Sequence, residues 1–170
     1  MRSAAGFTYI EMLVALAIVA LLASIAAPTV KKARQRADEQ QLRTALREIR
    51  TAIDAFKRAS DEGRIPRQVG ESGYPRKLVD LVNGVPDARQ PDGARIYFLR
   101  RLPADPLFPN MLANADSELG EASRRLPAER TWGLRTYNSP PDAPVAGNDV
   151  YDVYSLNPGI ALDGSRYRDW

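Results

Sequence analysis

The chain has 170 residues, room for one domain beside an anchoring segment. Its 44% hydrophobic and 26% charged composition is that of a folded chain, and a net charge of +3 with arginines scattered along the sequence argues against a nucleic-acid footprint. Cysteine and histidine are absent, which excludes disulfides, thiolate or imidazole metal sites and Ser-His-Asp chemistry; carboxylates alone make a thin case for an enzyme.

Residues 6–28, GFTYIEMLVALAIVALLASIAAP, form one apolar run. A helix from Phe7 to Ala27 would rise about 32 Å, enough to cross the hydrocarbon core of a bilayer. Glu11 is the ionisable side chain inside it. An acid in that setting costs up to about 3 kcal/mol at a bilayer centre and less near an edge, so it calls for a partner. A cut after Gly6 would give Phe7 a new α-amino group, and that amine, supplied by a neighbouring copy, would neutralise Glu11 inside a helix bundle. Two readings compete. One is an ordinary secretory signal, with Arg2 in its n-region, Met12–Ala23 as its apolar region and Ser24-Ile25-Ala26 as its cleavage site; the other is a plain anchor. Glu11 opposes the first, since an acid at the mouth of the apolar region works against a positive n-region.

Pro28 lacks a backbone donor and clashes with the turn before it, so a kink is expected there rather than a stop. Beyond it Leu42, Leu46, Ile49, Ile53 and Phe56 recur at steps of four and three, one face of a helix widened by Ala45, Ala52 and Ala59. That stripe is read as a core face. Arg and Glu take the other side, and Asp54 and Arg58 are spaced for an ion pair. Asp61-Glu62-Gly63 ends the helix, which then runs from Phe7 to about Ser60, on the order of 80 Å. Its first half is apolar all round and its second half is amphipathic.

Residues 64–76, with Pro66, Gly70, Gly73 and Pro75, are a loop. Lys77–Asn83 reads as a short helix with Leu78, Leu81 and Val82 inward, capped by Gly84 and stopped before Pro86. Residues 85–94 are rich in turns. Ile96–Leu99 is a short strand or a helical turn, a choice periodicity does not make. Leu102–Pro106 is extended, because each residue before a proline is pushed out of the α region. Residues 107–131 read as a long loop with a helical turn across Ser117–Arg125. Thr131–Tyr137 and Val150–Ser155 read as strands separated by the loop Asn138–Asn148. Asn157-Pro158-Gly159 and Asp163-Gly164 are turns, and Trp170 is expected to pack back on the body. The Arg100-Arg101 and Arg124-Arg125 pairs read as solvated surface, and Asp149/Asp152 and Asp163/Asp169 as turn and strand-edge residues rather than acid–base partners. The fold class is α+β: a long N-terminal helical spine packed against a small antiparallel β-sheet head.

Gly6, Phe7, Thr8 and Glu11, then the apolar run and Pro28, resemble the N-terminus of type IV pilins and type II secretion pseudopilins. The resemblance implies that prepilin peptidase cuts after Gly6 and methylates Phe7, and that Glu11 and Pro28 serve assembly. In the second half, Gly73-Tyr74-Pro75, Tyr97-Phe98-Leu99, Leu102–Pro106, the Trp132–Tyr137 strand, Asp152-Val153-Tyr154-Ser155-Leu156 and Asp169-Trp170 are similar to the major, G-type pseudopilin of type II secretion systems. On that resemblance residues 1–6 are a leader, 7–28 the transmembrane and assembly half of the spine, 29–62 its amphipathic half, and 63–170 a periplasmic head with a variable loop at about 107–131.

The function so implied is that of a non-enzymatic subunit. It is held in the bacterial inner membrane by a single pass, head in the periplasm, and drawn into a short pseudopilus that drives protein export. Its implied partners are prepilin peptidase, other copies of itself, minor pseudopilins, the inner-membrane secretion platform and membrane lipid, with no nucleic acid. Lys31, Lys32, Arg34 and Arg36 beyond the apolar run outnumber Arg2 before it, and the positive-inside rule taken alone favours the opposite orientation. The alternatives are a minor pilin of a type IV pilus or competence system, and a membrane-anchored periplasmic hydrolase using carboxylates.

Major pseudopilins of this family bind a calcium ion in the loop after the Asp-x-Tyr-Ser-Leu strand. The oxygens available here are the Leu156 carbonyl, Asn157, Asp163, Ser165 and Asp169. The family follows that strand with a Gly-Ala-Asp-Gly-like run; this chain has Asn157-Pro158-Gly159, with no acid, so Asn157 and Asp163 also read as simple turn formers.

Overall fold

The computed structural model describes residues 8–90, 92–108 and 126–170, apart from the side chains of 23–28. The cleavage site at Gly6 and Phe7 and the helical turn expected over Ser117–Arg125 lie outside the described residues. Helix α1 spans Tyr9–Asp61. It opens on Thr8, whose hydroxyl accepts from the Glu11 N–H at 3.3 Å while its carbonyl accepts from the N–H groups of Glu11 and Met12. Thr8-Tyr9-Ile10-Glu11 is thus a Thr-x-x-Glu start with an acid in the first turn, where it complements the helix dipole. The backbone stays helical through position 28, so the proline there does not stop it.

The chain divides into two compact units, Met1–Ala37 and Asp38–Trp170, and the division falls within α1. In the first unit the large apolar side chains described between Tyr9 and Leu22 are exposed, among them Ile10, Leu13, Leu16, Val19 and Leu22. Among the described residues no helix is long and apolar enough to cross a membrane. The far end of the stretch expected to span falls in residues 23–28, whose side chains are not described.

The second unit is built on the other half of α1. Leu42, Ala45, Leu46, Ile49, Ala52, Ile53, Phe56 and Ala59 are all buried, so the stripe is a core face. It packs with Leu78, Leu81, Leu99, Trp132, Val150, Val153 and Tyr167 in one apolar cluster. The helix stops in a Schellman arrangement: the Arg64 N–H reaches the Ala59 carbonyl at 2.9 Å and the Gly63 N–H that of Ser60 at 3.0 Å, with Gly63 at φ 72°. A side chain is disfavoured at that φ, which is why glycine marks the stop. The four-residue ion pair described near this end is Lys57–Asp61 at 2.5 Å, base before acid, rather than the expected Asp54–Arg58.

Helix α2 is only Asp80–Asn83, shorter than the expected Lys77–Asn83, though Leu78 and Leu81 are buried as expected. Instead of one sheet, the described residues form two separate antiparallel ladders of two strands. The first pairs β1 (Val85–Pro86), at the start of the stretch read from sequence as turns, with β2 (Arg95–Ile96), which reaches only the first residue of the stretch read as a short strand or a helical turn. Pro86 brings no donor to extend that ladder. The second pairs β3 (Trp132–Arg135) with β4 (Asp152–Ser155), in the register Trp132↔Ser155 and Gly133↔Tyr154. The described ends of the 107–131 stretch are not loose: Leu107, Phe108 and Thr131 are buried, and Ala128–Thr131 is a 3-10 turn.

Candidate functional site

Three of the acids singled out from sequence, Asp149, Asp152 and Asp163, are held as structural acceptors. Asp149 accepts from the Ser72 hydroxyl (2.5 Å), the Thr136 hydroxyl (2.7 Å) and the Tyr137 N–H (2.9 Å). Burial pushes its carboxyl up, but those three donors outweigh it and leave it below the usual carboxylate range. Asp152 pairs with Arg50 at 2.7 Å and stands 3.7 Å from Arg135. Neither acid faces the other as an acid–base partner would.

Asp105, which sequence placed only in an extended segment, is fully buried. Its Oδ1 accepts from the Leu107 N–H at 2.8 Å and its Oδ2 from the Ser155 hydroxyl at 2.6 Å, while its own N–H donates to Thr131 Oγ1 at 3.0 Å. Burial raises its carboxyl above the ordinary range, and the hydrogen bonds from Ser155, Leu107 and Phe108 oppose that rise. The segment around Pro106 is thereby fastened to β4 and to the 3-10 turn before β3.

One face of α1 clasps the segment after β4. Glu39 Oε1 accepts from the Leu162 N–H and the Tyr167 hydroxyl, each at 2.9 Å. One turn on, Arg43 Nη2 donates to Asp163 Oδ2 at 2.8 Å, and its guanidinium carbon lies 3.9 Å from the centre of the Trp170 ring. Arg50 donates to Asp152 (2.7 Å), the Val153 carbonyl (3.0 Å) and the Trp170 main-chain oxygen (2.6 Å). Trp170 packs edge-on against Tyr167, as expected for an aromatic returning to the body, and its Nε1 donates to Ser165 Oγ at 2.6 Å. Sequence reasoning assigned the charges of α1 to its outer face and missed this clasp. The four-residue step from Glu39 to Arg43, beside the buried Leu42, is the signal that would have found it.

A family profile described as the prokaryotic N-terminal methylation motif matches residues 1–27. The type II secretion system core protein G of Klebsiella pneumoniae is 34% identical over 107 residues, which are 62% of this chain and 71% of that relative. The chain belongs to the type II secretion system core protein G family. Proteins of the same name from Klebsiella michiganensis (32% identical over 107 residues, 62% of this chain and 69% of the relative) and Aeromonas hydrophila (31% over 106 residues, 62% and 68%) agree. No solved structure matches the chain.

Membership in the core protein G family raises calcium at Leu156, Asn157, Asp163 and Ser165, and the donor set does not fit it. Asn157 spends both ends of its amide inside the protein: Oδ1 accepts from the Gly159 N–H at 2.7 Å and Nδ2 donates to the Leu107 carbonyl at 2.9 Å. Asp163 Oδ1 accepts from the Ser165 N–H (2.9 Å) and hydroxyl (2.5 Å), and its Oδ2 already faces the Arg43 cation. Those Ser165 bonds first, and Arg43 after them, hold the Asp163 carboxyl below the usual range. Calcium takes six to eight oxygens, and among the described residues no group of three or more acids is placed to hold a metal.

Proposed function

We propose that this chain is a pseudopilin subunit of a type II secretion system, made with the six-residue leader, cut after Gly6 by prepilin peptidase, methylated at Phe7 and assembled through its spine into a short periplasmic filament. The observation that carries this reading is the first unit of the chain. Its described apolar side chains from Tyr9 to Leu22 are exposed on the helix. Such a surface is unstable in water and needs lipid or other apolar helices to cover it. The family supports secretion over a pilus or competence machine, since each relative compared carries the core protein G name.

Before assembly the spine is held in the inner membrane by a single pass, with the head in the periplasm. On assembly, copies pack spine to spine. Glu11 of one copy then pairs with the Phe7 amine of its neighbour and sets the axial stagger, because an acid and an amine in hydrocarbon are each costly alone and cheapest together. The head acts by contact with neighbouring subunits, minor pseudopilins and the secretion platform rather than by catalysis.

N-terminal mass analysis of the protein purified from membranes tests this. The expected result is a chain that begins at Phe7 and is one methyl heavier than the bare sequence. A chain that retains Met1–Gly6, or begins near Ala27, overturns it.

A further inference from the structure

We infer that the loop after β4 is closed by the Arg43 guanidinium in place of a metal ion, so that the head of this family member folds independently of calcium. Three features of the loop converge on that cation. Asp163, its one acid between β4 and Asp169, receives Arg43 on Oδ2 and Ser165 on Oδ1. Ser165 in turn donates its hydroxyl proton to Asp163 and accepts from the Trp170 indole. The face of that indole lies against the guanidinium itself.

Arg43 therefore neutralises the acid and fastens the aromatic end of the loop in one contact. A planar, delocalised cation suits both jobs: it offers a fork of N–H donors to a carboxylate and a flat face to an indole. Its helix holds it in position, since Leu42 and Leu46 beside it are buried in the core. Glu39, one turn earlier, holds the same loop through Leu162 and Tyr167, and Asn157 ties the loop's start to Leu107. At Asn157 Oδ1 and at both Asp163 oxygens, where an ion would gather its ligands, the chain already supplies a donor. The inference rests on the geometry of the head and stands apart from the assembly reading.

The test uses the full chain in detergent micelles, melted with calcium chloride and with chelator, and digested with chymotrypsin under both conditions. The expected result is one melting midpoint in the two buffers and equal resistance to cleavage at Leu156, Leu162 and Tyr167. Arg43→Gln is expected to speed cleavage at those sites about fivefold, with calcium giving no protection, while Arg43→Lys recovers only part of the loss. A midpoint that rises with calcium, or calcium-dependent protection of the loop, overturns the inference. So does an Arg43→Gln chain cleaved no faster than the parent.

Discussion

The Ser155 hydroxyl donates to Asp105 Oδ2 at 2.6 Å across 50 residues of sequence, and both side chains are fully buried. This bond joins β4 to the segment that precedes the 109–125 stretch. Asp105→Ala would leave the Ser155 hydroxyl and the Leu107 N–H without their acceptor. It is expected to destabilise the head by about 3 kcal/mol and to lower the melting midpoint by about 10 °C, read by circular dichroism. Asp105→Asn, which keeps the shape and one acceptor, should cost less than half of that.

Gly133 sits opposite Tyr154, and a Cβ built on it would fall 2.3 Å from the tyrosine ring. Gly133→Ala is therefore expected to cost about 1–3 kcal/mol by pushing the ring aside. In the Tyr154→Ala background the same change should cost much less. Chemical unfolding of the four proteins in this double-mutant cycle gives the coupling, and additive losses would contradict the close approach.

The Arg64 side chain donates twice to Asp87 Oδ2, at 2.6 and 3.1 Å, just past the end of α1. Arg64 first, and then the Arg89 N–H, hold the Asp87 carboxyl below its usual range. A depressed folded value means the contact stabilises the head above the unfolded value, about pH 4, and is lost as pH falls through the folded one. Asp87→Asn should melt earlier than the parent at pH 7, and the two curves should converge as the pH drops toward 3.

Glu11→Ala is expected to leave membrane insertion and processing at Gly6 intact while sharply reducing filament assembly, scored by shear fractionation and by N-terminal mass. Filaments at normal yield from that variant would remove the proposed pairing with the Phe7 amine. Because Glu11 also stands in the first turn of α1, Glu11→Gln, which keeps the Thr-x-x-Gln start, separates loss of charge from loss of helix start.

The spine was legible because its signals are local. The steps from Leu42 to Phe56 are set by helix pitch, and Gly63 ends the helix through its own backbone freedom, so both follow from a few neighbouring residues. The Gly6–Glu11 pattern likewise carried the family without any tertiary information. The strands read over Thr131–Tyr137 and Val150–Ser155 were found for a similar reason, since alternation and β-branched residues mark them, though the paired segments are the shorter Trp132–Arg135 and Asp152–Ser155. Two-residue ladders such as Val85–Pro86 with Arg95–Ile96 are too short to leave a periodic trace.

The sequence alone determined an apolar then amphipathic helix, its stop, its buried face and the kind of protein it belongs to. Only the tertiary structure decided which charges meet: Arg43 with Asp163 across 120 residues, Arg50 with Asp152 across 102, and Glu39 with Tyr167 across 128. Helical and strand patterns are properties of a few adjacent residues, whereas the partner of a given arginine among so many acids is chosen by how the core closes and brings distant segments within about 3 Å.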